Sequence, residues 1–294
     1  KKMRTYAYKK SYAFVYGNSG GNPAACLYLK AGDKLSEAEM LAIAKEHKGF
    51  VSEVIYCTPL EERHYKLRYY SSECEVEFCG HGTIACLYSL IGGDPALLAA
   101  PEITINTNKG DLTVYNDIPE LDSIFISAPA PEYLTLEMPA AKIAAALGLK
   151  EGAMDKRYQI QAIDAGLRTL IVPLAHLGDV LSTWPDEQAL KKFCLGNGID
   201  IILIFSFDVA DPANIARSRV FAPKFGYLED KATGSGNSAF GYYLLQHSLW
   251  HGKPVSIEQS AEKTNYNRVM LKTLAGGVLF GGGAKVKING IYNL

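Results

Sequence analysis

Two glycine-rich segments of the chain could bind a negatively charged group. One has a GHG triplet preceded by cysteine, and the other has a GSG triplet preceded by threonine. The eight residues are Cys79, Gly80, His81, Gly82, Thr233, Gly234, Ser235 and Gly236. Each triplet precedes an apolar run, so we expect it at a helix N-terminus, where unpaired N–H groups and a partial positive charge attract anions. Glycine allows close approach to the backbone, and two such termini facing one cleft would hold a carboxylate or an enolate.

The two segments also resemble each other beyond the glycines. When residues 78–90 are aligned with residues 232–244, an alanine, a tyrosine and a leucine recur at equivalent positions. We interpret this repeat as a degenerate duplication of one half-domain; two unrelated glycine-rich helix starts are the alternative. Neither segment contains GxxxxGK[ST] or GxGxxG, so the sequence does not predict a nucleotide site.

Short strands and helices alternate around these segments. The sequence Ser36-Glu37-Ala38-Glu39 is a capping box that opens a helix ending near Gly49. The predicted strands are 12–16, 24–29, 51–57, 65–70, 75–78, 103–106, 111–115, 123–127, 158–163, 169–172, 201–207, 218–221 and 285–288. The further predicted helices are 84–91, 140–147 and 238–250, and residues 281–283 are expected to be flexible. This mixture predicts an α/β (α+β) fold.

Length and composition exclude several classes of protein. A chain of 294 residues suggests two domains, and the Ala-Pro repeat at 128–131 resembles a linker. The net charge of -1 gives no basic surplus for nucleic acid. No segment has the length of a membrane span or the pattern of a signal peptide, so we expect a cytoplasmic protein without a membrane partner. The six cysteines lack zinc spacing, so no metal is predicted, and most thiols are expected to be buried.

Four motifs carry a resemblance to a known family. They are GNPAA at 21–25, SEVIY at 52–56, FCGHGT at 78–83 and EDKATGS at 229–235. Because they occur in the family's order along nearly the whole chain, the sequence resembles the PhzF-like (phenazine biosynthesis) isomerases of the diaminopimelate epimerase superfamily. Lys231 stands where the family usually has proline, and Gly236-Asn237 replaces a more usual Ala-His.

The resemblance implies a fold of two pseudo-symmetric halves, each a curled β-sheet around a central helix. Residues 1–128 would form the first half, with residues 280–294 returning to it, and residues 129–279 would form the second. The resemblance also implies a homodimer and a reaction that needs no cofactor.

By the same resemblance, Glu53 is the general acid–base that moves a proton on a small carboxylic acid. Its apolar flanks would bury it and raise its pKa. His81 would orient the substrate, Asp230 would bind an amine or hydroxyl or cap the following helix, and Ser235 would bind a carboxylate or cap that helix. Cys79 would line the pocket without reacting. We expect Glu53, His81, Asp230 and Ser235 to converge on one cleft.

Two alternatives stay open. CGHGT also resembles the proline-racemase branch, so a racemase or hydroxyproline dehydratase could use Cys79 opposite Thr233. A threonine hydroxyl, however, is a far weaker acid–base than a thiolate. The other alternative is a non-catalytic relative that binds a small molecule.

Overall fold

The computed structural model describes residues 3–294, which form eighteen β-strands and eight α-helices. The strands are β1 (Thr5–Ala13), β2 (Asn22–Tyr28), β3 (Glu53–Glu61), β4 (His64–Ser71), β5 (Glu75–Val76), β6 (Glu102–Thr107), β7 (Gly110–Asp117), β8 (Ser123–Ser127), β9 (Glu132–Leu134), β10 (Gln161–Asp164), β11 (Arg168–Pro173), β12 (Ile201–Ser206), β13 (Ala216–Phe221), β14 (Glu229–Asp230), β15 (Val255–Gln259), β16 (Asn267–Leu274), β17 (Gly277–Gly282) and β18 (Ala284–Asn293). The helices are α1 (Glu37–Glu46), α2 (Gly80–Gly92), α3 (Pro95–Ala99), α4 (Ile118–Leu121), α5 (Ala140–Leu147), α6 (Leu177–Ser182), α7 (Glu187–Gly196) and α8 (Gly234–Gln246).

The chain divides into two compact units. The first contains residues up to Val15, Gly20–Ser127 and Gly281–Leu294, and the second contains Tyr16–Ser19 and Ala128–Phe280. The C-terminal strand β18 therefore belongs to the first unit, where it pairs antiparallel with β1 along the whole of that strand. None of the helices in residues 3–294 is long and apolar enough to cross a membrane.

The sheet of the first unit curls around α2. Hydrogen-bonded pairs join its strands in the order β18, β1, β2, β3, β4, β6, β7 and β8. Helix α2 contacts strands from both ends of this order, including β18 and β8. Its residues from Gly82 to Leu87 are all buried, as expected for a helix that is apolar on nearly every side.

The second unit repeats this arrangement around α8. Its paired strands follow the order β9, β10, β11, β12, β13, β15 and β16. Helix α8 contacts β10, β11, β12 and β16 and is buried from Gly236 to Leu244. A separate core of aliphatic side chains, among them Leu170, Ile202 and Leu190, packs α5, α6 and α7 onto the sheet.

The two units share one pattern of strand directions. Strands β1 to β4, β6 and β7 pair successively antiparallel, parallel, antiparallel, parallel and antiparallel. Strands β10 to β13, β15 and β16 pair in the same sequence of directions. In each unit a two-residue strand then precedes the central helix, and α2 and α8 both have 13 residues. The predicted fold of two pseudo-symmetric halves is therefore confirmed.

Several predicted boundaries differ from the structure. The predicted strand 12–16 is wrong beyond Ala13, because β1 ends there and Phe14 turns the chain with a φ of 63°. The helices predicted to begin at residues 84 and 238 begin at Gly80 and Gly234 instead, because the glycine triplets are themselves helical. The predicted strand 158–163 is shorter, as β10 begins at Gln161.

The predicted flexibility of residues 281–283 is also wrong. Gly281 and Gly282 lie in β17, and a Cβ on Gly281 would stand 2.5 Å from the carbonyl oxygen of Ile124. A Cβ on Gly283 would lie 3.0 Å from the carbonyl oxygen of Asp122. Glycine is needed at these positions because neighbouring backbone comes too close for a side chain.

Candidate active site

Glu53 is the first residue of β3, at the end of the strand that faces the start of α2. It is paired in register with Ser71 of β4. The Ser52 hydroxyl donates a hydrogen bond to Glu53 Oε2. The side chain of Glu53 is 21% exposed, so its carboxylate is largely withdrawn from water.

Close packing of α2 on β3 brings the helix start to Glu53. A Cβ on Gly82 would lie 2.6 Å from the side chain of Ile55, two residues further along β3 and hence on the same face as Glu53. Cys79 is the N-cap of α2, and its Sγ accepts a hydrogen bond of 3.4 Å from the Gly82 N–H. Glycine at position 82 therefore places the first turn of α2, with His81, against the beginning of β3.

Glu53, His81 and Cys79 form one cluster. His81 Nε2 lies 3.3 Å from Glu53 Oε2, and His81 Nδ1 lies 3.3 Å from Cys79 Sγ. Nε2 is buried, but it is not aligned for a hydrogen bond with any group of residues 3–294. The contact between His81 and Glu53 is thus an attraction between charges at short distance rather than a well-directed hydrogen bond.

The charges of this cluster favour an ionised Glu53 and a protonated His81. Burial acts to raise the pKa of Glu53, but the positive charge of His81 at close range and the hydrogen bond from Ser52 lower that pKa below its ordinary value. Burial acts to lower the pKa of His81, whereas the Cys79 sulfur and the Glu53 carboxylate raise that pKa well above its ordinary value. Burial and the Glu53 charge raise the pKa of Cys79, so Cys79 is a thiol at neutral pH.

The predicted rise in the pKa of Glu53 is therefore wrong. The apolar flanks do bury the carboxylate, as the sequence indicates, and burial alone would have this effect. The opposing charge comes from His81, whose proximity depends on the packing of α2 on β3.

The three side chains also form a donor set that could hold a metal ion. One donor atom from each of Glu53, Cys79 and His81 lies within 4.8 Å of the others. A carboxylate oxygen, a thiol sulfur and an imidazole nitrogen are ligands that suit Zn²⁺. However, the imidazole turns Nδ1 towards the sulfur and Nε2 towards the carboxylate. One ion bound to all three residues would need one ring nitrogen to serve both sides, so the ring would have to reorient.

Asp230 and Thr233 form a second polar cluster at the start of α8. Thr233 is the N-cap of α8, but its side chain makes no capping hydrogen bond. Its hydroxyl instead donates to Asp230 Oδ2 at 2.7 Å. Gln259 Nε2 donates to the same hydroxyl oxygen at 3.2 Å, so the Thr233 hydroxyl is engaged on both sides.

Asp230 therefore accepts a hydrogen bond from the side chain of the N-cap residue of α8. Ser235 lies in the first turn of α8 and is partly exposed. The structure brings Glu53, Cys79 and His81 together in one unit and Asp230 and Thr233 together in the other. That these residues line one cleft stays a prediction.

The glycines of the second triplet have a role that the sequence analysis did not foresee. A Cβ on Gly234 would lie 2.6 Å from the Phe280 ring, whereas a Cβ on Gly236 would meet neighbouring side chains at 3.3 Å and beyond. Gly234 is thus required for packing of α8 on Phe280, whatever ligand the helix start binds.

Sequence reasoning missed Ser52 and Gln259 as members of the two clusters. Ser52 belongs to the SEVIY motif, so its neighbour relation to Glu53 was visible, although its hydrogen bond was not. Gln259 lies on β15, which is brought beside β13 by a parallel pairing in which Ser218 faces Gln259. No local motif marks this glutamine.

Comparison with known proteins assigns the family. The family model described as "Phenazine biosynthesis-like protein" matches residues 12–276. The chain belongs to the phenazine biosynthesis-like protein family. A crystal structure of a PhzF-family phenazine biosynthesis protein from Bacillus anthracis has the same fold, with a TM-score of 0.82 and 24% identity over 99% of both chains.

Named relatives indicate the class of reaction. The chain is 28% identical to an uncharacterized isomerase, YfhB, of Bacillus subtilis over 96% of this chain and 94% of that protein. It is 27% identical to trans-2,3-dihydro-3-hydroxyanthranilate isomerase of Pseudomonas fluorescens, covering 82% of this chain and 81% of that protein. The protein is accordingly an isomerase of the phenazine biosynthesis-like family.

Proposed function

We propose that this phenazine biosynthesis-like protein isomerises a small carboxylic acid by moving a proton, with Glu53 as the acid–base residue and without a cofactor. The observation that carries the proposal is the largely buried Glu53 carboxylate, hydrogen-bonded by Ser52 and charge-paired with His81. A solvent-facing carboxylate would instead favour a non-catalytic relative.

The proposed reaction has two proton transfers. Glu53 takes a proton from a carbon of the substrate, so that a C–H bond breaks, an O–H bond forms and the electron pair delocalises into the adjacent unsaturated or carboxyl group. Glu53 then returns the proton to another carbon and becomes a carboxylate again. The substrate gains and loses one proton, so no oxidant or other reactant is required.

The lowered pKa of Glu53 suits the second step more than the first. A carboxyl group with a low pKa is a weak base but a strong acid, so the protonated Glu53 returns its proton readily to carbon. The positive charge of His81 and the N–H groups at the start of α2 would stabilise the negative charge that develops on the substrate. The cluster thus combines a proton carrier with a preorganised positive environment.

Two observations favour Glu53 over the alternative that uses Cys79 and Thr233. The raised pKa of Cys79 keeps its proton on the sulfur at neutral pH, which weakens it as a base. The Thr233 hydroxyl already donates to Asp230 and accepts from Gln259. In this proposal Asp230 binds a polar group of the substrate, and the start of α8 with Ser235 binds its carboxylate.

Solvent-deuterium incorporation tests this function. The protein would be incubated in D₂O both before and after dialysis against EDTA. The compounds would be small amino and hydroxy acids, including an unsaturated cyclic amino acid of the type named for the Pseudomonas fluorescens relative. We expect deuterium at carbon in at least one compound, at the same rate before and after chelation. Incorporation that requires added metal would contradict the cofactor-independent mechanism, and incorporation in none of these acids would contradict the proposed proton transfer on acids of this class.

A further inference from the structure

We infer that Gln259 is a positioning residue that fixes Asp230 and Thr233 for the reaction, an inference that rests on the proposed function of Asp230. Gln259 is the last residue of β15 and is 1% exposed. Its side chain contacts three residues at the start of α8 through four hydrogen bonds.

The amide of Gln259 uses its full hydrogen-bonding capacity. Oε1 accepts from the Thr233 N–H at 3.0 Å and from Asn237 Nδ2 at 2.8 Å. Nε2 donates to the carbonyl oxygen of Asp230 at 3.0 Å and to Thr233 Oγ1 at 3.2 Å. A primary amide supplies two donors and two acceptor sites, so neither a carboxylate nor an aliphatic side chain can reproduce this set.

These bonds determine the direction of the Thr233 hydroxyl. Because Gln259 donates to Thr233 Oγ1, that oxygen is an acceptor towards Gln259 and its own proton is directed to Asp230 Oδ2, 2.7 Å away. Gln259 also fixes the backbone of Asp230 and Thr233. The orientation of the Asp230 carboxylate therefore depends on a glutamine that is nearly inaccessible to solvent.

Among the described residues, the start of α2 in the first unit has no hydrogen-bond network equivalent to that of Gln259. Cys79 and Thr233 have the same N-cap backbone conformation, but Cys79 caps its helix by accepting from the Gly82 N–H. Thr233 makes no such bond, because its hydroxyl serves Asp230. The network also extends to Ser218, whose hydroxyl donates to Asn237 Oδ1. The arrangement thus orients a carboxylate as well as stabilising a helix terminus.

Gln259→Glu separates the orientation of Asp230 from the stabilisation of the helix start. Glutamate has nearly the shape of glutamine and can still accept the bonds from the Thr233 N–H and Asn237, but it cannot donate to Asp230 and Thr233 Oγ1. We expect the folded variant to lose roughly tenfold to a hundredfold in kcat for deuterium exchange, with a smaller change in KM. Gln161→Glu is the matched control, since Gln161 Nε2 donates to Gln246 on the surface of the same unit. The control should keep the parent kcat within about twofold.

A double-mutant cycle keeps the inference testable if Gln259→Glu folds poorly. Thr233→Ser should keep most of the activity because the hydroxyl remains, and Thr233→Val should lose it. In the Thr233→Val background, Gln259→Glu should cause a much smaller loss in kcat than in the parent, because the link from Gln259 to the Asp230 carboxylate through the Thr233 hydroxyl is already broken and only the bond to the Asp230 carbonyl oxygen remains. If the fold-loss in kcat of the double variant equals the product of the losses in Gln259→Glu and Thr233→Val, the two residues act independently and the inference is overturned. Equal activity of Thr233→Ser and Thr233→Val would also overturn it.

Asp230→Asn distinguishes failure of the inference from failure of the proposed function. If Asp230→Asn has the parent kcat, the proposed role of Asp230 is wrong and the inference is wrong with it. If Asp230→Asn is inactive while a folded Gln259→Glu variant has the parent kcat, Asp230 keeps its role and only the positioning by Gln259 is refuted.

Discussion

His81 Nε2 lies 3.3 Å from Glu53 Oε2, a contact between the first turn of one helix and the first residue of a strand. Each group shifts the pKa of the other towards its charged form, which opposes the effect of burial on both. The site is therefore a largely buried ion pair in which each member favours the charged form of the other, with Cys79 also raising the pKa of His81 and Ser52 also lowering the pKa of Glu53.

The ion pair predicts the pH range of activity. The mechanism needs Glu53 ionised and His81 protonated. The midpoint of the acid limb of kcat/KM should therefore lie below the ordinary Glu pKa of 4.5, and the midpoint of the alkaline limb should lie above the ordinary His pKa of 6.5. In His81→Gln, Glu53 loses the neighbouring charge and the acid limb should move to higher pH. Identical acid limbs in the parent and in His81→Gln would contradict the pairing.

The same pair makes stability depend on pH. The raised pKa of His81 contributes stability that is fully present below its unfolded value of about 6.5 and is lost as pH rises through the folded pKa. The lowered pKa of Glu53 contributes stability that is present above its unfolded value and is lost as pH falls through the folded pKa. The free energy of unfolding of the parent in urea should therefore exceed that of His81→Gln by the largest amount between about pH 4.5 and 6.5, where both contributions are fully present.

Cys79→Ser tests the thiol-based alternative. The serine hydroxyl can still accept from the Gly82 N–H and contact His81 Nδ1, so the helix start should be preserved. We expect the variant to keep kcat within roughly tenfold of the parent, since the thiol carries no proton in the proposed reaction. A loss of a thousandfold in a folded Cys79→Ser protein would favour the proline-racemase-like mechanism.

The glycines of the second triplet predict two different outcomes. Gly234→Ala should destabilise the protein, because its Cβ would overlap the Phe280 ring, and thermal unfolding should show a clearly lower Tm. Gly236→Ala meets side chains only at 3.3 Å and beyond and should change Tm much less. Equal Tm values for the two variants would show that Phe280 moves aside freely. A valine at position 234 could not test ligand binding alone, because it would also disturb the packing of α8 on Phe280.

The sequence predicted the fold better than it predicted the electrostatics. The repeat around residues 79–82 and 233–236 located both central helices, because glycine triplets and apolar spacing are local signals. The sign of the Glu53 pKa shift was missed, since the flanks report burial but not the histidine that packs on them. Gln259 was missed because only the parallel pairing of β13 and β15 brings it to Asp230.

The most direct test of the mechanism is the rate of solvent-deuterium incorporation by Glu53→Gln. The amide is nearly isosteric with the carboxylate but cannot carry the proton, so incorporation should fall by at least about a hundredfold in a folded variant. Glu61→Gln is the matched control, because Glu61 lies at the exposed far end of the same strand and should exchange at the parent rate. Parent-like incorporation by a folded Glu53→Gln protein would contradict the assignment of Glu53 as the residue that moves the proton.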